Sequence, residues 1–118
     1  MIENPLSEKS LDFAAKTVKF CIKLNAQTKE NIITKQLIRS STSIGANINE
    51  ANYGVSRADF ISKMQIALKE AAESEYWLKL LCRAEYVQET DVSDLISLCV
   101  QIEKMLTSTL KTTKASKV

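Results

Sequence analysis

The chain has 118 residues, 45% of them hydrophobic and 25% charged, with only two glycines and one proline. That balance excludes a disordered chain, and so few turn-forming residues exclude an all-β fold, which needs a turn every ~8–12 residues. With no histidine, the chain lacks the commonest general base, the commonest metal ligand and the usual pH switch. Composition therefore predicts a helical, non-enzymatic protein of one domain, with neither cofactor nor metal.

Sixteen basic against fourteen acidic side chains leave a net charge of +2. The isoelectric point near 8.4 falls below the value of about 9 that usually announces a nucleic-acid-binding domain. The charge is uneven: residues 1–39 carry seven basic and four acidic groups, a net of +3, and residues 40–89 carry five and seven, a net of −2. Cys21, Cys82 and Cys99 form no C-x-x-C pair and fall among apolar residues, where a free cysteine behaves as a small buried hydrophobe. The N-terminal MIENPLSEKS has no basic start and no apolar run, so no signal peptide is expected. No stretch approaches the ~20 apolar residues of a membrane-spanning helix. Together these predict a cytoplasmic protein with no membrane partner.

The first helix is expected over Ser7 to Asn25. Leu11, Ala14, Ala15, Val18, Cys21, Ile22 and Asn25 follow one helical face, which is read as the core. Phe13, Phe20 and Leu24 form a second apolar strip beside it, so more than half the circumference is apolar. Lys9, Lys16, Lys19 and Lys23 gather on the remaining side.

A polar link over 26–31 leads to the second helix, Ile33 to Tyr53, with a heptad seam at Leu37, Ser41, Ile44, Ile48 and Ala51. Gly54 is placed to cap its end in the left-handed conformation. Gly45, inside the helix, costs about 1 kcal/mol against alanine, and close helix–helix approach is its expected return. Beside the seam runs a polar stripe of Gln36, Ser40, Ser43, Asn47 and Glu50, with Arg39 at its edge. Solvent faces favour Lys and Glu. A stripe of amides and hydroxyls suits a hydrogen-bonded contact instead, with another helix or another subunit.

Ser56 and Asp59 open the third helix, in which Phe60, Met64, Ala67, Ala71, Ser74, Leu78 and Leu81 hold the heptad register towards Val87. Ile66, Trp77 and Leu80 lie off that face, giving more large apolar groups than one small core needs. Glu70, Glu73 and Glu75 fan around different sides of the helix and read as solvated or ion-paired. The fourth helix starts at Thr90-Asp91 and runs through Leu95, Leu98, Cys99, Ile102, Met105, Leu106 and Thr109. Residues 1–111 are then one domain, and 112–118 a frayed basic tail. Four amphipathic helices with short links predict an all-α fold, an antiparallel up-down-up-down four-helix bundle.

The run from Gln36 to Ala51 resembles the signature of the 23S rRNA intervening-sequence proteins: Gln36, Leu37, Arg39 and Ser40, then Ser43, Ile44, Asn47, Ile48 and Glu50. Asp59-Phe60, Ala67 and Glu73 are similar to that family's third-helix pattern. Asn49 and Ala51 stand where many members have Ala and Gly. The resemblance implies a four-helix bundle assembled as a homopentamer, with an unsettled molecular role. A similar protein is the accessory factor of diversity-generating retroelements, which binds RNA and a reverse transcriptase. The expected function is accordingly a self-assembling scaffold, with Phe13, Phe20, Leu24, Gln36, Arg39, Ser43, Asn47, Glu50, Ile66, Trp77 and Leu80 at the oligomer interface. The alternative is RNA or DNA binding through Lys9, Lys16, Lys19 and Lys23, and an unidentified protein partner is a further expectation.

Overall fold

Each helix begins where a polar side chain closes its free amides, and the computed structural model, which describes residues 4–115, shows four such starts. Helix α1 (Pro5–Thr28) has Pro5 in its first turn, where the missing N–H costs nothing, and the Asn4 side chain accepts from the Ser7 amide at 3.2 Å. Helix α2 (Ile33–Asn52) is opened by Glu30, whose carboxylate accepts from the amides of Ile32, Ile33 and Thr34 at 2.8–2.9 Å. Helix α3 (Arg57–Arg83) starts on Ser56, which accepts from the Asp59 amide at 3.0 Å. In α4 (Glu89–Ala115), the Asp91 carboxylate accepts from the Gln88 amide at 2.9 Å.

The helix ends differ from expectation at four places, the first being α1, which runs to Thr28 rather than Asn25 before Lys29 turns left-handed at φ 68°. Helix α3 stops at Arg83 rather than near Val87, because Glu85 turns left-handed at φ 67° and the Tyr86 amide bonds back to the Leu81 carbonyl. That is a glycine-type C-terminal closure made without glycine. Gly54 does not adopt the left-handed conformation; the need for glycine there is steric. A Cβ would sit 2.9 Å from Asp59 Oδ2 and 3.1 Å from the Ala51 carbonyl. Helix α4 continues through residues 112–115, expected to fray, because the Arg57 guanidinium donates to the carbonyls of Thr113 and Lys114 at 2.6–3.1 Å. A cation on the last carbonyls closes a helix C-terminus. Residues 116–118 of the expected tail lie outside the described residues.

The helices pack as a ring in which α1 and α3 each lie against α2 and α4, and face one another diagonally across a shared core. The long axis is 51 Å and the cross-section 23 × 22 Å. Cross-helix contacts show that neighbours run antiparallel. Asn52 bonds Ser7 between α1 and α2, and Lys63 pairs with Glu50 between α2 and α3. Cys99 meets Ala71, and Arg57 meets Thr113, between α3 and α4. In the Asn52–Ser7, Glu50–Lys63 and Arg57–Thr113 contacts an early residue of one helix meets a late residue of the other, and Ala71 and Cys99 meet near the middle of both.

The heptad seam of α2 is buried throughout, as is the expected α3 register from Met64 to Leu81. In α1 the sequence-based choice of face holds only at Cys21, and the core lies on the neighbouring face. Leu6, Ser10, Phe13, Thr17, Cys21 and Leu24 point into the core, whereas Leu11 is 64% and Ile22 62% exposed. Phe13 and Leu24, expected on an intersubunit strip, are core residues at 0% and 4% exposure. The buried face carries Leu6, Phe13 and Leu24 over five turns, removing more apolar area than a strip whose middle is Ala14 and Ala15. The polar atoms it buries are hydroxyls. Ser10 donates its hydroxyl to the Ser7 carbonyl, while Thr17 Oγ1 has no partner among the described residues.

Candidate interaction surface

The polar stripe of α2 faces α3. Arg39 donates to Glu70 at 2.8 Å and also binds Glu73, which in turn accepts from the Trp77 indole N–H at 3.0 Å. Gln36 accepts from Arg39 Nε at 3.4 Å. Beneath this layer the fully buried hydroxyls of Ser40 and Ser74 meet at 2.8 Å, and Ser74 donates to the Glu70 carbonyl. Ser43 and Asn47 bond back to the carbonyls of Arg39 and Ser43, and Glu50 pairs with Lys63 at 3.7 Å.

The stripe thus has a structural use within one chain. A buried hydroxyl pair beside a two-carboxylate clasp on one guanidinium favours one position of α2 along α3, because a shift of one turn would part Ser40 from Ser74 and take Arg39 from the largely buried Glu70. The expected interface residues Gln36, Arg39, Ser43, Asn47 and Glu50 are brought together here. Phe20 and Trp77 are half-buried against the core, and Leu80 is half-buried. Of the apolar residues expected at an interface, only Ile66 is largely open, at 41% exposure.

Large exposed apolar residues lie at the helix ends, in Ile32, Tyr53, Val55 and Tyr86, and on the outer faces of α1 and α3. Leu11, Ala15 and Ile22 face outward from α1 with half-buried Val18 between them, and Tyr76, 58% exposed, joins Ile66 on α3. The Tyr76 ring stands edge-on to Trp77, 5.0 Å between centroids, so the indole held by Glu73 also orients it. The excess of apolar circumference on α1 signalled that one strip would be left outside; nothing in the spacing ranked the two.

The lysines of α1 divide. Lys9 donates to Gln101 of α4 at 2.9 Å and Lys16 pairs with Asp12 at 3.1 Å. Lys19 and Lys23 make no hydrogen bond or ion pair with another described residue.

A third polar group crosses α3 and α4. Burial, reinforced by a hydrogen bond and repulsion from Glu75, pushes the Glu103 carboxyl up to about 7. Glu75 is held below its ordinary range by its hydrogen bond with Glu103 and by Lys79, 2.5 Å away. The pair therefore shares one proton near neutral pH, with Glu103 the protonated member. Burial raises the Cys21 thiol to about 12 and Cys99 further upward. A thiol so far from ionisation is not a nucleophile at neutral pH. Among the described residues, no cluster of three or more Cys, Asp or Glu is placed to hold a metal ion, and no helix is long and apolar enough to cross a membrane.

The sequence pattern of the 23S rRNA-intervening sequence protein family matches residues 3–108. Among solved structures, the chain is similar to the crystal structure of a protein of unknown function from the S23 ribosomal protein family of Bacteroides thetaiotaomicron VPI-5482. That protein is 47% identical, with a TM-score of 0.88 over 90% of this chain and 98% of the other. No curated protein matches the chain.

Proposed function

We propose a self-associating, non-enzymatic scaffold role for this chain, which belongs to the 23S rRNA-intervening sequence protein family by the match of residues 3–108. The observation that carries the reading is the outer face of α1, where Leu11 and Ile22 are 64% and 62% exposed although the same helix already buries a full apolar face. A 4-3-4 apolar spacing is the pattern by which a helix packs on another helix. Covering it removes roughly 1.5–3 kcal/mol of exposed apolar surface per large side chain. A ring of five copies is the assembly that the family resemblance implies. Light scattering on the purified chain tests the reading: a discrete oligomer at micromolar concentration supports it, and a mass of 13.2 kDa at every concentration overturns it.

A second reading, binding of RNA or DNA, has the unpaired Lys19 and Lys23 in its favour, since a cation free of carboxylates is available to a phosphate. In an assembly these two lysines recur on every copy, and linked weak sites gain avidity. Retention of RNA that survives Lys19→Glu with Lys23→Glu would refute that surface.

A further inference from the structure

The side-chain charge of this chain divides sharply at Glu103. Residues 1–103 carry 12 basic and 14 acidic groups, a net of −2 (12 − 14). Residues 104–118 carry Lys104, Lys111, Lys114 and Lys117 with no acid, a net of +4 (4 − 0). The first three of these lysines stand on the C-terminal half of α4.

They share one face. At about 100° per residue, Lys104, Thr107, Ser108, Lys111 and Lys114 fall within about 120° of the helix circumference, and all five are exposed. None of the three lysines makes an ion pair with another described residue. Lys9 of α1 reaches the edge of this face through its bond to Gln101, which adds a fourth ammonium. A hollow of about 480 Å³ lies along it, lined by Val100, Glu103, Lys104, Thr107, Ser108 and Lys111. Glu103, the one carboxyl in that lining, is hydrogen-bonded to Glu75 across the α3–α4 seam.

The chemistry of the face selects its partner. A lipid surface or a protein interface is held by apolar groups that become covered, and α4 has no large exposed apolar residue among those described. Ammoniums interleaved with hydroxyls are the groups that contact phosphate oxygens. From Lys104 to Lys114 the face is about 15 Å long, a distance over which one nucleic-acid strand carries roughly four phosphates.

We propose that the C-terminal half of α4 docks the phosphate backbone of a nucleic-acid strand, with Lys104, Lys111 and Lys114 as its cations and Thr107 and Ser108 as hydroxyl partners. The inference rests on the nucleic-acid reading and moves its surface from α1, where Lys16 is already paired with Asp12, to α4. Contacts to phosphate carry no base information, so binding here is independent of sequence.

Fluorescence anisotropy with two short labelled RNAs of unrelated sequence tests this. The wild-type chain is expected to bind both equally and to weaken roughly 20-fold between about 50 and 200 mM salt, the dependence of three neutralised phosphates on a single strand. Lys104→Gln with Lys111→Gln and Lys114→Gln, checked for helicity by circular dichroism, is expected to lose about tenfold or more in affinity and to flatten that dependence. Should the triple variant lose helicity, Lys104→Gln with Lys111→Gln carries the same expectation. Lys19→Glu with Lys23→Glu is expected to bind like the wild type. Binding that survives the α4 changes and is abolished by the α1 pair overturns this surface while the nucleic-acid reading stands. Displacement of the RNA by polyglutamate as effectively as by unlabelled RNA overturns phosphate as the partner in favour of an acidic protein. No binding of either RNA at low salt overturns both the surface and the reading.

Discussion

Helices α1 and α2 carry comparable patterns and use them oppositely. Helix α2 has one apolar seam, which is buried, and one polar stripe, which locks onto α3 through Arg39, Glu70, Glu73 and the Ser40–Ser74 pair. Helix α1 has two apolar faces; Phe13 and Leu24 fill the core while Leu11 and Ile22 remain outside. The difference teaches that a polar stripe beside a seam can be used up in a specified contact within the chain, whereas a second apolar face on the same helix is left uncovered by the bundle.

The sharpest way to break this comparison is to truncate the two faces of α1 separately. Phe13→Ala is expected to cost about 3–5 kcal/mol in chemical denaturation, because it opens a cavity at a fully buried site. Leu11→Ala, measured on the same chain under dilute conditions, is expected to change stability by less than about 0.5 kcal/mol. Equal losses would mean that the assignment of faces is wrong.

The corresponding cut in α2 is Arg39→Ala. It strands Glu70, whose side chain is 12% exposed, and frees Glu73 from its guanidinium partner. The expected cost is about 2 kcal/mol, reduced from the buried-pair range because the Arg39 side chain is itself 48% exposed. Arg39→Lys should recover only part of it, since an ammonium does not offer the planar fork that grips two carboxylates.

The α3–α4 seam adds a dependence on pH. A carboxyl raised to about 7 in the folded chain keeps a proton that the unfolded chain releases above its ordinary value of about 4.3. Its contribution therefore favours folding as pH falls from about 7 towards 4.3, and is lost as pH rises through 7. Glu103→Gln, which donates to Glu75 at any pH, is expected to raise Tm at pH 8 and leave it unchanged at pH 5. After solvent screening the gain is about 1 kcal/mol. A variant that tracks the wild type across that range would show that the proton is not held there.

The smallest effect concerns Gly45. A Cβ there meets Ser10 Oγ at 3.5 Å, an ordinary contact, so close approach within the bundle does not require glycine. Gly45→Ala is expected to stabilise the chain by about 0.5–1 kcal/mol through helix propensity. A loss of stability would show that α1 and α2 are packed more tightly than this.

The four helices and the seams of α2, α3 and α4 were legible because each has a single dominant apolar period. The Ser56 cap was legible for the same kind of reason, a side chain of strong local preference at a helix start. The Glu30 closure of α2 was not, since Glu is not a preferred capping residue and acts here by reaching three amides at once. The ends at Lys29 and Glu85 were missed because both adopt positive φ without glycine. The last turn of α4 depends on Arg57, a residue 56 positions away from Thr113, which no local window contains. The polar stripe was legible as a contact surface, and the structure shows α3 of the same chain on it. The outer face of α1 was misassigned because two faces of similar hydrophobicity compete, and only the volume of Phe13 against that of Ala14 and Ala15 decides between them.

The most direct test of the central claim, that the open face of α1 is an assembly surface, is the light-scattering mass of the wild-type chain beside that of Leu11→Glu with Ile22→Glu, both checked for helicity. The account predicts a discrete wild-type oligomer and a folded variant of 13.2 kDa. The same mass for both proteins, whether monomeric or assembled, would contradict it.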